Sequence, residues 1–370
     1  MISGIKTLGK YLDQPLLVEN YKKAVAPIFI GGATVYGANE VRKAPQEKKK
    51  ETAIRTASVL TATTVSSLYA PKLSAKILRL PYQKYRIAEI IKNNTKEVDT
   101  FVKSATEESH NLTDKGLNIL EKAKSKVLKF KEVKTLNNEL SQTENGKKLF
   151  NKLIPEPDNI TAKDIKNEIG RLSLYGFIPI VGGTAGGITG DILTEKKVDK
   201  NKMADRVKEG SYQYLANIFL CNVGAGLALA GLEKMNIKSK AARVVGMVTG
   251  IVATGIVGGS KIANFIGRNF INPIFDKGQK SKKDERKPEA LDICLHSDDI
   301  ATIAVMSGLK WIEPALPILY GISGYRTGIG YRNDKKNNAN TENTVNSQNI
   351  INAETTKTAN NNTTVKNEKN

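Results

Sequence analysis

Between Leu172 and Gly190 the chain carries no charged residue. Within that stretch Gly182, Gly186 and Gly190 recur at every fourth position, with Gly183 and Gly187 beside them. Positions four apart on an α-helix share a face, so these glycines form a strip of bare backbone. In water each costs about 1 kcal/mol relative to alanine inside a helix. Five glycines between residues 182 and 190 therefore make a poor water-soluble helix. In lipid the balance reverses, because unpaired backbone groups there cost more than helix formation does. A strip without side chains also lets a second helix approach closely enough for van der Waals contact to hold the pair. The segment is expected to be a helix inside a membrane, packed on its neighbours through that strip.

The pattern recurs along the chain. Gly246 and Gly250, Gly255 and Gly259, and Gly324 and Gly328 are each four apart. Charge-free runs also extend from Gly210 to Leu232 and from Val244 to Ser260, and Ile300 to Tyr325 is apolar but for Lys310 and Glu313. Runs near 20 residues match the hydrocarbon thickness of a bilayer. Two earlier runs, Ala24 to Ala38 and Thr56 to Pro71, are shorter and read as half-spans, interfacial helices or spans with snorkelling ends. A weak echo links "PIFIGGATVYGANE" from Pro27, "PIVGGTAGGITGD" from Pro179 and "PILYGISGYRTG" from Pro317. It reads as proline near a first helical turn followed by glycines.

The chain is a mosaic in which charge clusters separate these runs. Residues 81–170 are charged and nearly free of glycine. Leu117, Leu120, Ala123, Val127, Phe130, Leu136 and Leu140 recur there at helical spacing, the mark of an amphipathic helix of soluble character. With a similar piece from Ile87 to Val102 it is expected to form a helical hairpin. From residue 331 the chain is rich in Asn, Thr and Lys and lacks the large apolar residues needed to offset ordering entropy, so a disordered tail is expected.

The formal net charge is +20, and aromatic residues are 6%. Excess cations suit anionic lipid or nucleic acid, but no basic stretch is interleaved with stacking rings, so nucleic acid is excluded and anionic lipid at the basic loops is expected. The two cysteines, Cys221 and Cys294, build neither a disulfide framework nor a zinc pattern.

Few residues suggest chemistry. "GGTAGG" follows "LSLYGFIPIV", which could pass for a strand, but no alternating strand-helix series comes after it, and the Gly-Lys-Ser/Thr ending of a phosphate-cradling loop is missing. "CLHSDD", Cys294 to Asp299, is read as a helix N-cap at Ser297 with acids in the first turn. Lys310 and Glu313, three apart on one helix face, form a candidate intramembrane charge pair, with Pro314 and Pro317 breaking the helix beside them. No nucleophile–base or paired-carboxylate arrangement stands out, so no catalytic, cofactor or metal residue is assigned and no enzyme activity is expected.

The sequence thus points to an all-α, multi-span membrane helical bundle of four to six helices. Its regions are an amphipathic lead-in with two short apolar helices (1–80), a soluble helical insert (81–170), a Gly-rich transmembrane core (171–330) and a polar tail (331–370). Six spans would leave both chain ends on one side, although basic residues are too evenly spread to fix an orientation. The expected role is a non-enzymatic membrane scaffold, or a channel or carrier. Self-association through the Gly-rich faces is expected as well. Two other arrangements fit the same residues: a secreted, membrane-inserting protein, and a soluble helical protein with a buried Gly-rich core.

Overall fold

Helix geometry follows from where the apolar runs are interrupted, and the interruptions are fewer than the charge pattern suggests. The computed structural model describes residues 8, 10–80, 87–107, 112–155, 162–197, 200–237, 240–275 and 310–330. Among them the protein is helical, without a strand. The two short runs lie inside long helices, α1 (Pro15–Lys43) and α2 (Lys49–Leu78). Pro15 occupies the first turn of α1, where its missing N–H is no loss. Pro27, Pro71 and Pro179 lie within helices, so in two of the three echoed segments proline is internal rather than at a first turn. Only Pro317 stands near a helix start.

The insert is four short helices rather than a hairpin: α3 (Ile87–Glu107), α4 (Asp114–Ala123), α5 (Phe130–Leu140) and α6 (Glu144–Leu153). The single helix expected across 114–142 breaks at 124–129. That break turns Leu128 inward, 3% exposed, and frees its backbone to bond the Gln14 side chain in both directions, at 2.8 and 3.0 Å. Thr113 and Thr143 cap α4 and α6 by accepting from Gly116 N and Gly146 N, each at 3.0 Å. Val98, Leu120, Val133, Leu136, Leu140 and Phe150 fill one core, with Tyr11 of the lead-in packed on it. Apolar residues therefore face inward here, as water requires.

The remaining helices are α7 (Ala162–Glu195), α8 (Lys200–Lys234), α9 (240–275) and α10 (Leu316–Ile329), the last entered through a 3-10 turn at Lys310–Ala315. α8 carries a π turn at Leu215–Phe219, and α9 carries two, at Val252–Gly259 and Gly267–Ile271. α7 and α8 are long and apolar enough to cross a membrane, and half of each apolar window is buried inside the protein. Ala242–Gly255 of α9 is apolar but shorter.

Side-chain neighbours give the directions. Gly182 meets Ser66 and Gly190 meets Arg55, so α2 and α7 are antiparallel. Gly37 of α1 faces Thr56 and Leu60, so α1 runs with α7. Asp191 meets Arg206 whereas Gly176 meets Ile218, so α8 descends along α7. Gly246 meets Leu232 and Gly259 meets Ala216, so α9 reverses again. α10 pairs Glu313 with Arg171 and Gly328 with Gly183, and so runs parallel to α7. Pro15 and Gly330 consequently lie at opposite ends of the bundle, not on one side. The tail from residue 331 and "CLHSDD" lie outside the described residues.

The insert's pH response follows from Glu132. The backbone N–H of Lys129 at 2.8 Å, and then the Lys122 ammonium at 2.9 Å, hold its carboxyl below the usual value of 4.5. A depressed folded value means the stabilisation is present above the unfolded value and is lost as pH falls through the folded one. Glu132→Gln is expected to cost about 0.5–1 kcal/mol at neutral pH. The protection factor of the amides in the first turn of α5 should then fall about two- to fivefold at pH 7, and the loss of protection that the wild type shows on acidification below about pH 4.5 should be absent from the variant.

Candidate functional site

The glycines predicted to mediate packing are brought against backbone. A Cβ on Gly182 would stand 3.0 Å from the Ala62 carbonyl oxygen and closer still to Ser66; one on Gly186 would stand 2.7 Å from the Ser58 carbonyl oxygen; and one on Gly190 would stand 3.1 Å from the Arg55 Cα. This face of α7 lies flat on α2. Gly183 and Gly187, about 100° round the helix, lie against α10. The Gly183 position abuts the Gly324 carbonyl, Gly187 abuts the Gly328 carbonyl and the Arg206 side chain, and Gly324 in turn abuts the Pro179 carbonyl. α7 thus has two bare faces and two partners. "GGTAGG" is mid-helix and buried in these contacts, not a loop ahead of a helix.

A second seam joins α8 to α9. Gly250 abuts the carbonyl of Gly224, and Gly224 abuts the carbonyl of Gly250. Gly255 rests on Cys221, Gly259 on Ala216, and Gly246 on Leu232. Gly31 and Gly32 of α1 differ, with no atom within 4 Å of either Cβ position.

Charge is gathered at two levels of the bundle. At the lower level Arg171 donates to Glu313 at 2.6 Å, to Glu168 at 2.9 Å and to the Tyr175 hydroxyl at 3.1 Å. Glu313, singled out from the sequence, is therefore paired across helices with a residue 142 positions earlier; the Lys310 side chain lies outside the described residues. At the upper level Asp191, fully buried, accepts from Arg206 at 2.6 Å, and Arg55 stands 3.7 Å from its other oxygen. Arg206 also donates to the Gly328 carbonyl at 2.8 Å, answering an otherwise unpaired carbonyl at the end of α10. Arg55 and Lys202 both pair with Glu195. Arg171 and Asp191 are 20 residues apart on one helix, about 30 Å along its axis, which is the thickness of a hydrocarbon core.

Between the levels runs a line of buried polar side chains on α8. Arg326 Nε of α10 stands 3.9 Å from Glu209, Gln213 donates to Glu209 at 2.8 Å, and Asn217 donates to Gln213 at 3.0 Å. Sequence reasoning missed Arg171, Asp191, Arg206, Glu209, Gln213, Asn217 and Arg326. The signal available was the i, i+4, i+8 spacing of Glu209, Gln213 and Asn217, three polar residues on one face of α8. Among the described residues no group of three or more His, Cys, Asp and Glu side chains is placed to hold a metal ion. No protein-family model, curated protein or solved structure matches the chain.

The packing geometry makes a graded forecast. Gly183→Ala and Gly324→Ala drive a methyl into backbone that cannot swing away, and each is expected to cost about 1–3 kcal/mol, read as a drop of several degrees in the unfolding midpoint of the purified protein. Gly31→Ala and Gly32→Ala, which meet open space, should leave that midpoint unchanged or slightly raised.

Proposed function

We propose that this chain is a multi-pass integral membrane protein in which α1, α2, α7, α8, α9 and α10 form the embedded bundle and α3–α6 form a water-facing unit at one end. One observation carries the reading: around an apolar core of its own that includes Leu172, Leu229, Met247, Leu316 and Tyr320, the bundle leaves large apolar side chains exposed and buries polar ones. Val35, Tyr69, Val181, Leu193, Leu227, Val245 and Phe270 stand between 51% and 72% exposed, while Asp191, Gln213, Asn217, Asn222 and Thr327 are at most 3% exposed. In water, large apolar side chains exposed in such number mark a surface meant to be covered. Ionisable groups in the interior of a membrane bundle face one another and are paired, as they are here.

The spacing of the charge levels supports the same reading, because Arg171 and Asp191 bracket one bilayer thickness of α7. The activity is non-enzymatic and of the channel or carrier class rather than that of a passive scaffold. The specific support is the line of buried polar groups, which costs stability and which a scaffold held by glycine contacts has no use for. The water-facing unit and the cationic loops would meet anionic headgroups at the surface.

Fractionation tests the membrane assignment. The protein is expected to remain in the membrane pellet through alkaline carbonate and high salt and to leave it only in detergent. Release by either wash without detergent, with the protein folded and monodisperse in plain buffer, overturns the assignment in favour of a soluble helical protein.

A further inference from the structure

The polar side chains of α8 form a continuous line. Glu209, Gln213 and Asn217 succeed one another one helical turn apart, and the π turn at Leu215–Phe219 widens the next step so that Asn222, five residues on, continues the same side. From Arg206 to Asn222 the line covers 16 residues, about 24 Å of helix. Every member is buried, from Gln213 at 0% to Arg206 at 6%. The Nδ2 of Asn222 and, on the flanking helices, the hydroxyls of Ser173 and Ser323 have no hydrogen-bond partner among the described residues. Buried polar atoms in that condition call for water. At the upper end the line starts at Asp191, whose Oδ1 also lacks a hydrogen bond.

The donors in this line point one way. Asn217 Nδ2 donates to Gln213 Oε1, and Gln213 Nε2 donates to Glu209 Oε1. The row of amide donors therefore ends on the Glu209 carboxylate, which accepts from Gln213. A metal ion would need several oxygens turned toward it, and the 2.8 Å contact between Gln213 and Glu209 leaves no space for one between them. A proton needs neither. The groups around Glu209 suit its gain and loss: Arg326 of α10 stands 3.9 Å away, Gln213 and Arg206 flank it on its own helix, and Asp191 of α7 is reached through Arg206.

We propose that this line carries protons across the membrane, with Glu209 as the carboxyl group that takes up and releases them; the proposal rests on the membrane assignment above. A proton from water at the Asp191 end forms an O–H bond on the Glu209 carboxylate and cancels its negative charge. The attraction to Arg326 is lost, and the Gln213 amide turns its oxygen to accept from the new hydroxyl. Release hands that proton to a file of waters held by Gln213, Asn217 and Asn222, each water taking one proton and giving up another while the amides only hold the waters in place; the Glu209 O–H bond breaks, the carboxylate is restored and Arg326 returns to it. One O–H bond on Glu209 is made and broken per cycle, and nothing is oxidised or reduced.

The experiment uses the full-length protein reconstituted into phosphatidylcholine vesicles that hold a pH-sensitive dye. A potassium gradient with valinomycin sets the driving potential. Wild-type vesicles are expected to change internal pH at least about tenfold faster than protein-free vesicles. Glu209→Gln is expected to fall to the protein-free rate, Glu209→Asp to keep part of the flux, and Gln213→Leu and Asn217→Leu to lose most of it. A wild-type rate equal to that of empty vesicles overturns the proposal, as does a Glu209→Gln rate equal to wild type. Should Glu209→Gln fail to co-float with the vesicles, Asn217→Leu decides: wild-type flux there overturns the proposal. Wild-type protein that co-floats and resists carbonate but conducts nothing defeats only this inference. Protein that does not co-float defeats the membrane assignment, and this inference with it.

Discussion

The contact of α7 backbone with the backbones of α2 and α10 is the constraint on which the rest depends. Gly182, Gly186 and Gly190 admit α2 on one face, while Gly183 and Gly187 admit α10 on the next. Only a helix with two adjacent bare faces can sit between two partners at such short range. Once it does, the geometry of the charged groups is largely set. Asp191 is carried to Arg55 on one side and Arg206 on the other, Arg171 is carried to Glu313, and the C-terminal carbonyls of α10 arrive at Arg206. The glycines contribute little by themselves; they bring groups with stronger interactions within reach in a setting where leaving them unpaired is costly.

The insert and the bundle differ in the side chains they leave exposed. The insert buries Leu120, Val133 and Leu136 and exposes its lysines, as the hydrophobic effect demands in water. The bundle also buries an apolar core, with Leu172, Leu229, Met247 and Leu316 in it, but it leaves valine, leucine and aromatic side chains exposed and buries Asp, Gln, Asn and Thr beside that core. The chain moves between the regimes at a few places, one of which is Gln14. This residue closes the lead-in onto the insert by bonding both the N–H and the C=O of Leu128, and α1 starts at the next residue.

The sequence made the helices and their packing faces readable, because a repeat of four among glycines has one geometric meaning on a helix. The lengths of α1 and α2 were not readable: Lys22, Lys23 and Glu40 look like boundaries, yet all three are helical, since charged side chains reach water from within a helix by extending their stems. The break at 124–129 was hidden because the apolar spacing continues across it; only the distant Gln14 explains why the chain turns there. Glu313 was legible as an unusual charge, but its partner Arg171 lies 142 residues away, and a single sequence carries no record of such a pairing. The polar line on α8 was overlooked for a simpler reason. Glutamate, glutamine and asparagine are ordinary residues one at a time, and Glu209 falls just before the stretch whose lack of charge drew attention.

The parallel run of α7 and α10 has a consequence for biogenesis. Neighbours that run antiparallel and follow one another in the chain can form as a hairpin, each covering the other as it emerges. α10 has no such option with respect to α7. It is the last helix in the described chain, and its slot is walled by α2, α7 and α8, which are synthesised long before it. Until it arrives, the backbone at Pro179 and Gly183 lies uncovered, and Arg206, already paired with Asp191, lacks the Gly328 carbonyl. The bundle is thus built like an arch, standing open along one groove until its closing stone is set.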